Sequence, residues 1–143
     1  MTVVARSALV PYTAGQMFDL VDRVEDYARF LPWCAEAQVT RRTGEVVEAR
    51  LHVSYGSLNK WFATRNTRVP GRSIHMSLLE GPFRKLEGEW TFTDLGGEGS
   101  KVSLYLEFQF TNRLVGLAVG PRFTQIADSL VDAFSQRARE VYG

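Results

Sequence analysis

The strongest constraint on the fold is a pair of alternating segments near the middle of the second half of the chain. Val102, Leu104, Leu106, Phe108 and Phe110 fall on one side of an extended segment, and Ser103, Tyr105, Glu107 and Gln109 fall on the other. The segment before it repeats the pattern, with Leu86, Gly88, Trp90 and Phe92 against Glu87, Glu89, Thr91 and Thr93. Side chains two apart share a face of a strand, so both segments read as strands of a sheet with one apolar and one wet face. The apolar face needs a cover.

Punctuation extends this sheet in both directions. From about Ala35 to Thr111, turn residues recur at Gly44-Glu45, Gly56-Ser57, Pro70-Gly71, Gly81-Pro82 and Gly96-Gly97. Five short turns separate six strands, and connections this short join antiparallel neighbours, because a parallel pair needs a long crossover. A further strand is expected over Val3–Val10, ending at Pro11. Thr13 and Gln16 have the spacing of a capping box, and Met17, Phe18, Val21 and Val24 recur at helical intervals behind them. Asp26 is expected to cap a second short helical turn through Tyr27 and Phe30, stopped by Pro32.

The cover for the sheet is at the C-terminal end. Ile126, Leu130 and Phe134 recur every four residues beside Ala127, Val131 and Ala138, while Asp128, Asp132, Gln136 and Arg139 take the other side. This helix is expected to start at Gly120 and Pro121 and to run for roughly 20 residues, about 30 Å. Leu114–Val119, flanked by Gly116 and Gly120, is expected to be a separate short helix or flexible turn, a candidate gate. The fold class is therefore α+β: a curved seven-stranded antiparallel sheet around a long C-terminal helix, with two short helices after the first strand. Nothing marks a repeat or linker, so residues 1–143 read as one domain.

Composition narrows the functional classes. The 17 basic and 16 acidic residues nearly cancel, so the chain lacks the overall positive field of a sequence-independent DNA binder. A lone cysteine, Cys34, allows no internal disulfide. The apolar run from Thr2 to Pro11 is short for a signal peptide and broken by Arg6, and no stretch reaches the ~18 apolar residues of a membrane span. The expectation is a cytoplasmic protein, at most peripheral to the inner membrane.

Catalytic candidates are poor. His52 and His75 lie on different strands without metal-ligand spacing, so no metal is expected. Glu87 and Glu89 share a strand face, but the wet one. Cys34 reads as a small buried apolar group, and Gly96-Gly97-Glu98-Gly99 joins two strands instead of opening a helix as a phosphate loop does.

Three ordered motifs carry a family resemblance. Tyr27-Ala28-Arg29-Phe30-Leu31-Pro32-Trp33-Cys34 resembles the Y-P-x-F-L-P-W-C signature of coenzyme Q-binding START-domain proteins, with Ala28 in place of the usual proline. Leu79 to Phe92 resembles the family's G-P-F-x-x-L-x-G-x-W-x-F strand pair, and Ala133 to Gly143 its A-F-x-x-R-A-x-x-x-Y-G ending. The resemblance covers essentially the full chain. It implies a helix-grip (START/Bet v 1-like) fold, a hydrophobic cavity, and a ubiquinone-binding chaperone role in respiration. In some bacterial members it implies a toxin that associates with ribosomal subunits. Polyketide cyclases are related folds, but the assignable inward positions here are hydrocarbon and give acid-base chemistry little to work with.

A polyprenyl quinone needs an apolar channel and a few polar groups, its tail contributing about 0.8 kcal/mol per buried CH₂. Trp90, Phe92, Leu106, Phe108 and Phe110 on the sheet, facing Phe123, Ile126, Ala127 and Leu130 on the helix, are the candidate lining. The same residues also serve as ordinary core. Tyr27, Phe30, Leu31, Trp33 and Phe83 are candidate rim contacts. The expectation is a non-enzymatic binder with no cofactor, its bound ligand being ubiquinone or a related polyprenyl lipid. The alternative rests on Arg50, Lys60, Arg65, Arg68 and Arg72, in a stretch between Glu48 and Glu80 without a carboxylate. Placed on the outer sheet face, they are candidate contacts for ribosomal RNA or lipid headgroups, or a solvated surface.

Overall fold

A computed structural model describes residues 1–143. Strand β1 (Thr2–Val10) leads through the capping box into helix α1 (Ala14–Asp22), where the Thr13 hydroxyl accepts from Gln16 N at 3.1 Å and Gln16 Oε1 accepts from Thr13 N at 2.9 Å. A 3-10 helix spans Val24–Arg29. Asp26 lies inside this helix instead of capping it, and no side chain caps its start. Asp26 is occupied with Arg29, one turn on. The turn closes with Leu31 N donating to Tyr27 O at 2.9 Å, directly before Pro32.

Strands β2 (Cys34–Thr43), β3 (Val46–Tyr55), β4 (Leu58–Val69), β5 (Ser73–Glu80), β6 (Phe83–Asp94) and β7 (Ser100–Phe110) follow, with turns at the glycine positions the sequence marks. All pairings are antiparallel, and the order across the sheet is β1-β7-β6-β5-β4-β3-β2. The β1–β7 pairing, Thr2 opposite Phe108 through Val10 opposite Ser100, brings the first and last strands together. Irregularities at Cys34/Glu36, Val39/Arg41, Ala63/Thr64 and Phe83/Lys85 interrupt the ladders, and such bulges bend and twist a sheet.

The alternation holds. Leu86, Gly88, Trp90 and Phe92 are buried, as are Val102, Leu104, Leu106 and Phe108, while Glu87 and Glu89 are exposed. Gly88 is required by close approach: a Cβ there would lie 2.7 Å from Leu106 Cδ1 and 2.9 Å from the Tyr105 carbonyl oxygen. Helix α2 crosses the concave face and buries Phe123, Ile126, Ala127, Val131, Phe134 and Ala138. These join a single cluster of 29 buried residues with the sheet and α1.

The C-terminal helix departs from the expectation. α2 is one helix of 30 residues, Arg113–Tyr142, so Leu114–Val119 is its first part and not a separate element. Asn112 begins it, accepting from Val115 N at 2.9 Å. Gly116 and Gly120 face Phe110, and a Cβ at either would stand 3.6–3.7 Å from that ring, an ordinary van der Waals contact that does not itself require glycine. Pro121 sits inside the helix, where its missing N–H leaves the Leu117 carbonyl without its helical donor.

Candidate ligand-binding site

Between α2 and the sheet is a cavity of about 120 Å³. Fifteen of its 16 lining residues are hydrophobic, so the wall offers an apolar guest almost no competing polar surface. Strands β3 to β7 supply Leu51, Val53, Phe62, Met76, Leu86, Trp90, Leu104 and Leu106; α2 supplies Phe123, Ile126, Ala127, Leu130 and Phe134. Tyr27 and Trp33 close it from the segment after α1.

The polar atoms of the wall are few, and two are already engaged. Thr64, the one polar residue, donates its hydroxyl to Asn66 Oδ1 at 2.8 Å. The Tyr27 hydroxyl donates to the Val21 carbonyl. Burial, and next the charge of Asp22, push the Tyr27 phenol well above its ordinary pKa, so it stays protonated. Trp90 and Trp33, 3% and 8% exposed, differ: neither indole N–H makes a hydrogen bond within the protein. Buried indoles usually find an acceptor, so an unpaired donor on the wall favours a guest that brings one.

Trp33 connects the inside with the outside. It lines the cavity and also a surface cleft of about 240 Å³ shared with Pro32, Tyr55, Gln125, Ile126 and Ser129. Cys34, next in sequence, is 4% exposed, and burial pushes its thiol up to about 11, leaving it protonated and a poor nucleophile at neutral pH.

Of the residues the sequence suggests as ligand contacts, Tyr27, Trp33, Trp90, Leu106, Phe123, Ile126, Ala127 and Leu130 line the cavity. Phe30, Leu31, Phe83, Phe92, Phe108 and Phe110 do not. Phe30 packs behind the wall, its ring 5.3 Å from that of Phe134. Leu31 is fully buried beside a second outer cleft. Phe83, Phe108 and Phe110 form an aromatic cluster with Phe62 and Phe123, the Phe83 and Phe110 rings stacked at 4.8 Å, that fills the space at one end of α2. Phe92 faces Phe18 of α1 at 5.7 Å. The lining residues absent from that set are Leu51, Val53, Phe62, Thr64, Met76, Leu86, Leu104 and Phe134. Leu86, Leu104 and Phe134 already stood on the inward faces read from the sequence, and alternation through β3 and β4 carries the signal for Leu51, Val53, Phe62 and Thr64.

The basic residues do not form the outer-face patch expected of them. Lys60 pairs with the buried Val53, and Lys60 and Arg68 share the strand face of Phe62 and Asn66, so β4 alternation places them on the concave side. Arg68 holds Asp22 of α1 through two bonds of 2.6 and 2.8 Å and lies over Phe18. Arg65 is on the outer face, bonded to Glu48 at 2.9 Å, and Arg72 sits at the β4–β5 turn. Arg50 covers the Trp61 ring, on which His52 is also stacked. His75 meets Glu87 at 3.2 Å on the exposed face, and no three His, Cys, Asp or Glu residues gather as a metal site would need.

A curved antiparallel sheet gripping one long helix, with an apolar cavity between them, defines a helix-grip protein of the START type. The chain belongs to the family described as polyketide cyclase / dehydrase and lipid transport, which matches residues 10–135. It is 48% identical over 142 residues to a Pseudomonas aeruginosa protein named ribosome association toxin RatA, covering 99% of both chains. Its identity to the Escherichia coli K12 protein of the same name is 43%, covering 99% of this chain and 90% of that one. A Schizosaccharomyces pombe protein named mitochondrial coenzyme Q-binding protein coq10 is 26% identical, over 93% of this chain and 84% of that one. Among solved structures, a Caulobacter crescentus protein matches with a TM-score of 0.77 at 32% identity, covering 100% and 99% of the two chains. A Streptomyces aromatase/cyclase matches with a TM-score of 0.83 at 18% identity, covering 99% and 96%, a likeness of fold. No helix is long and apolar enough to cross a membrane.

Proposed function

We propose that this protein binds a hydrophobic, ring-bearing ligand under α2 without catalysing a reaction on it, and that a polyprenyl quinone such as ubiquinone is the ligand. The carrying observation is the cavity wall, in which 15 of 16 residues are apolar and the free donors on buried side chains are the Trp90 and Trp33 indoles. The volume suits one ring: an apolar cavity of about 150 Å³ is known to accept benzene. A quinone carbonyl supplies the acceptor that Trp90 lacks, and the isoprenoid tail leaves past Trp33 into the cleft beside Tyr55 and Ile126. The relative named for coenzyme Q binding supports the same ligand. Acid-base catalysis finds no carboxylate, imidazole or amine on the wall, and the Tyr27 hydroxyl is already bonded.

Titration with a short-chain ubiquinone, followed by tryptophan fluorescence, tests this reading. Saturable quenching is expected from the wild-type protein, with affinity at least about fivefold weaker for Trp90→Phe, which keeps an aromatic ring but loses the donor. Absence of saturable binding by the wild type would remove the quinone assignment.

A second reading, association with ribosomal subunits, is favoured by the 43–48% full-length identity to proteins named for it. Co-sedimentation with subunits tests it independently of the cavity. Arg68 is committed to the largely buried Asp22, whereas Arg65 stays half exposed beside Glu48, and strong weakening by salt is the expected signature of such an interface.

A further inference from the structure

At one end of the molecule the first two turns of α2 break the rule that the rest of the helix obeys. Gly116 and Gly120 face Phe110 on the sheet, while Leu114 and Leu117, one turn apart, are 79% and 70% exposed. An amphipathic helix built only for water would reverse this arrangement. Beside these leucines runs an open groove between α2 and the ends of β1, β6 and β7, with Arg84, Phe110 and Arg113 on its walls and no acidic residue among its lining. The twenty residues from Phe108 to Ala127 contain Arg113 and Arg122 and no carboxylate. Arg122 lies over the ring of Tyr55, itself 38% exposed, on the adjoining β3–β4 hairpin. Protruding apolar side chains are thus set among cations with no local anion to neutralise them.

We propose that this end of the molecule docks on an anionic lipid bilayer, with Leu114 and Leu117 entering the interface and Arg84 and Arg113 meeting lipid phosphates. The charge pattern selects the partner: a negatively charged leaflet attracts the arginines, and its acyl boundary accepts the leucines. A nucleic acid would answer the arginines but give the leucines no apolar environment. A stable dimer needs roughly 800 Å² per partner, a broad complementary face, and two leucines projecting from a helix end do not form one. Pro121 interrupts the backbone ladder at Leu117, so the docking turns are marked off from the part of α2 that grips the sheet. This surface is separate from the cavity and does not depend on what the cavity holds.

Co-flotation of the full-length protein with vesicles tests the proposal, using phosphatidylcholine alone and an equal mixture with phosphatidylglycerol. Wild type is expected to float with the mixed vesicles and much less with neutral ones. Combined Leu114→Glu and Leu117→Glu should weaken flotation by at least about tenfold, and combined Arg84→Gln and Arg113→Gln several-fold. Leu130→Arg, in the cavity, should float as wild type does, so failure of the quinone reading leaves this result standing. Leu117→Trp supplies an independent signal, a blue shift of its fluorescence on adding mixed vesicles. Failure of the wild type to float, flotation indifferent to the leucine pair, or sedimentation with ribosomal subunits that depends on the pair in the absence of flotation would each overturn the proposal.

Discussion

From Phe123 onward, α2 turns Ile126, Ala127, Val131, Phe134 and Ala138 to the sheet, each 5% exposed or less; between Arg113 and Gly120 the same helix turns glycines to the sheet and leucines to solvent. Pro121 lies between the two regions. The later part has the usual logic of a core, with large apolar groups filling the concave face of the sheet. The earlier part gives the core only Val119, partly buried, and is otherwise held by its Asn112 cap, by packing over Phe110, and by the Ser57 hydroxyl donating to the Ala118 carbonyl at 3.4 Å. One continuous helix therefore combines a part that stabilises the fold with a part whose exposed chemistry is available for a partner.

Substitutions can break or sharpen this contrast. The largest effect is expected at Phe134, 1% exposed and in edge-to-face contact with Tyr27, Phe30 and Trp90. Phe134→Ala should cost about 3–5 kcal/mol in chemical denaturation, because it removes transfer energy and leaves a hole. Leu130→Arg comes next. Leu130 is only partly buried, so the longer side chain can carry its charge outward while its stem occupies the cavity. The fold should persist with a smaller loss of stability than Phe134→Ala, and quinone quenching should disappear.

Pro121→Ala should restore the donor to the Leu117 carbonyl and slow hydrogen exchange of the amides from 113 to 120 by about tenfold, with little change beyond Phe123. Smallest of all, Leu114→Ser and Leu117→Ser should each shift stability by less than about 0.5 kcal/mol. Equal destabilisation by Leu117→Ser and Phe134→Ala would erase the distinction between the two parts of the helix.

The same contrast explains how much of the molecule was legible in the sequence. Strands β2 to β7 announced themselves through their glycine-bearing turns, and β6 and β7 also through a two-residue period; both are local signals. The later part of α2 was legible for the same reason. Its true start was not: Gly116, Gly120 and Pro121 have poor helix propensity, and what overrides them is the Asn112 cap and packing on a distant strand residue, Phe110. The side on which Arg68 lies is not carried by a carboxylate-free stretch but by alternation along β4, which puts it beside Asn66 and towards Asp22, away from the outer face.

The cavity itself was only half legible. Which residues point inward follows from period and parity, and that gave Trp90, Leu106 and Ile126. Where inward side chains meet and where they leave space depends on how the curved sheet and α2 diverge. Phe83, Phe108 and Phe110 therefore fill one end while Leu51, Met76 and Leu130 surround the void. No local pattern carries that distinction.

The most direct test of the central claim is native mass spectrometry, with organic extraction, of the protein purified from a quinone-producing bacterium. The account predicts a stoichiometric quinone adduct on the wild-type protein, absent from Leu130→Arg and retained when Leu114 and Leu117 are replaced by Ser. A wild-type protein carrying no quinone, or an adduct that persists in Leu130→Arg, would contradict it.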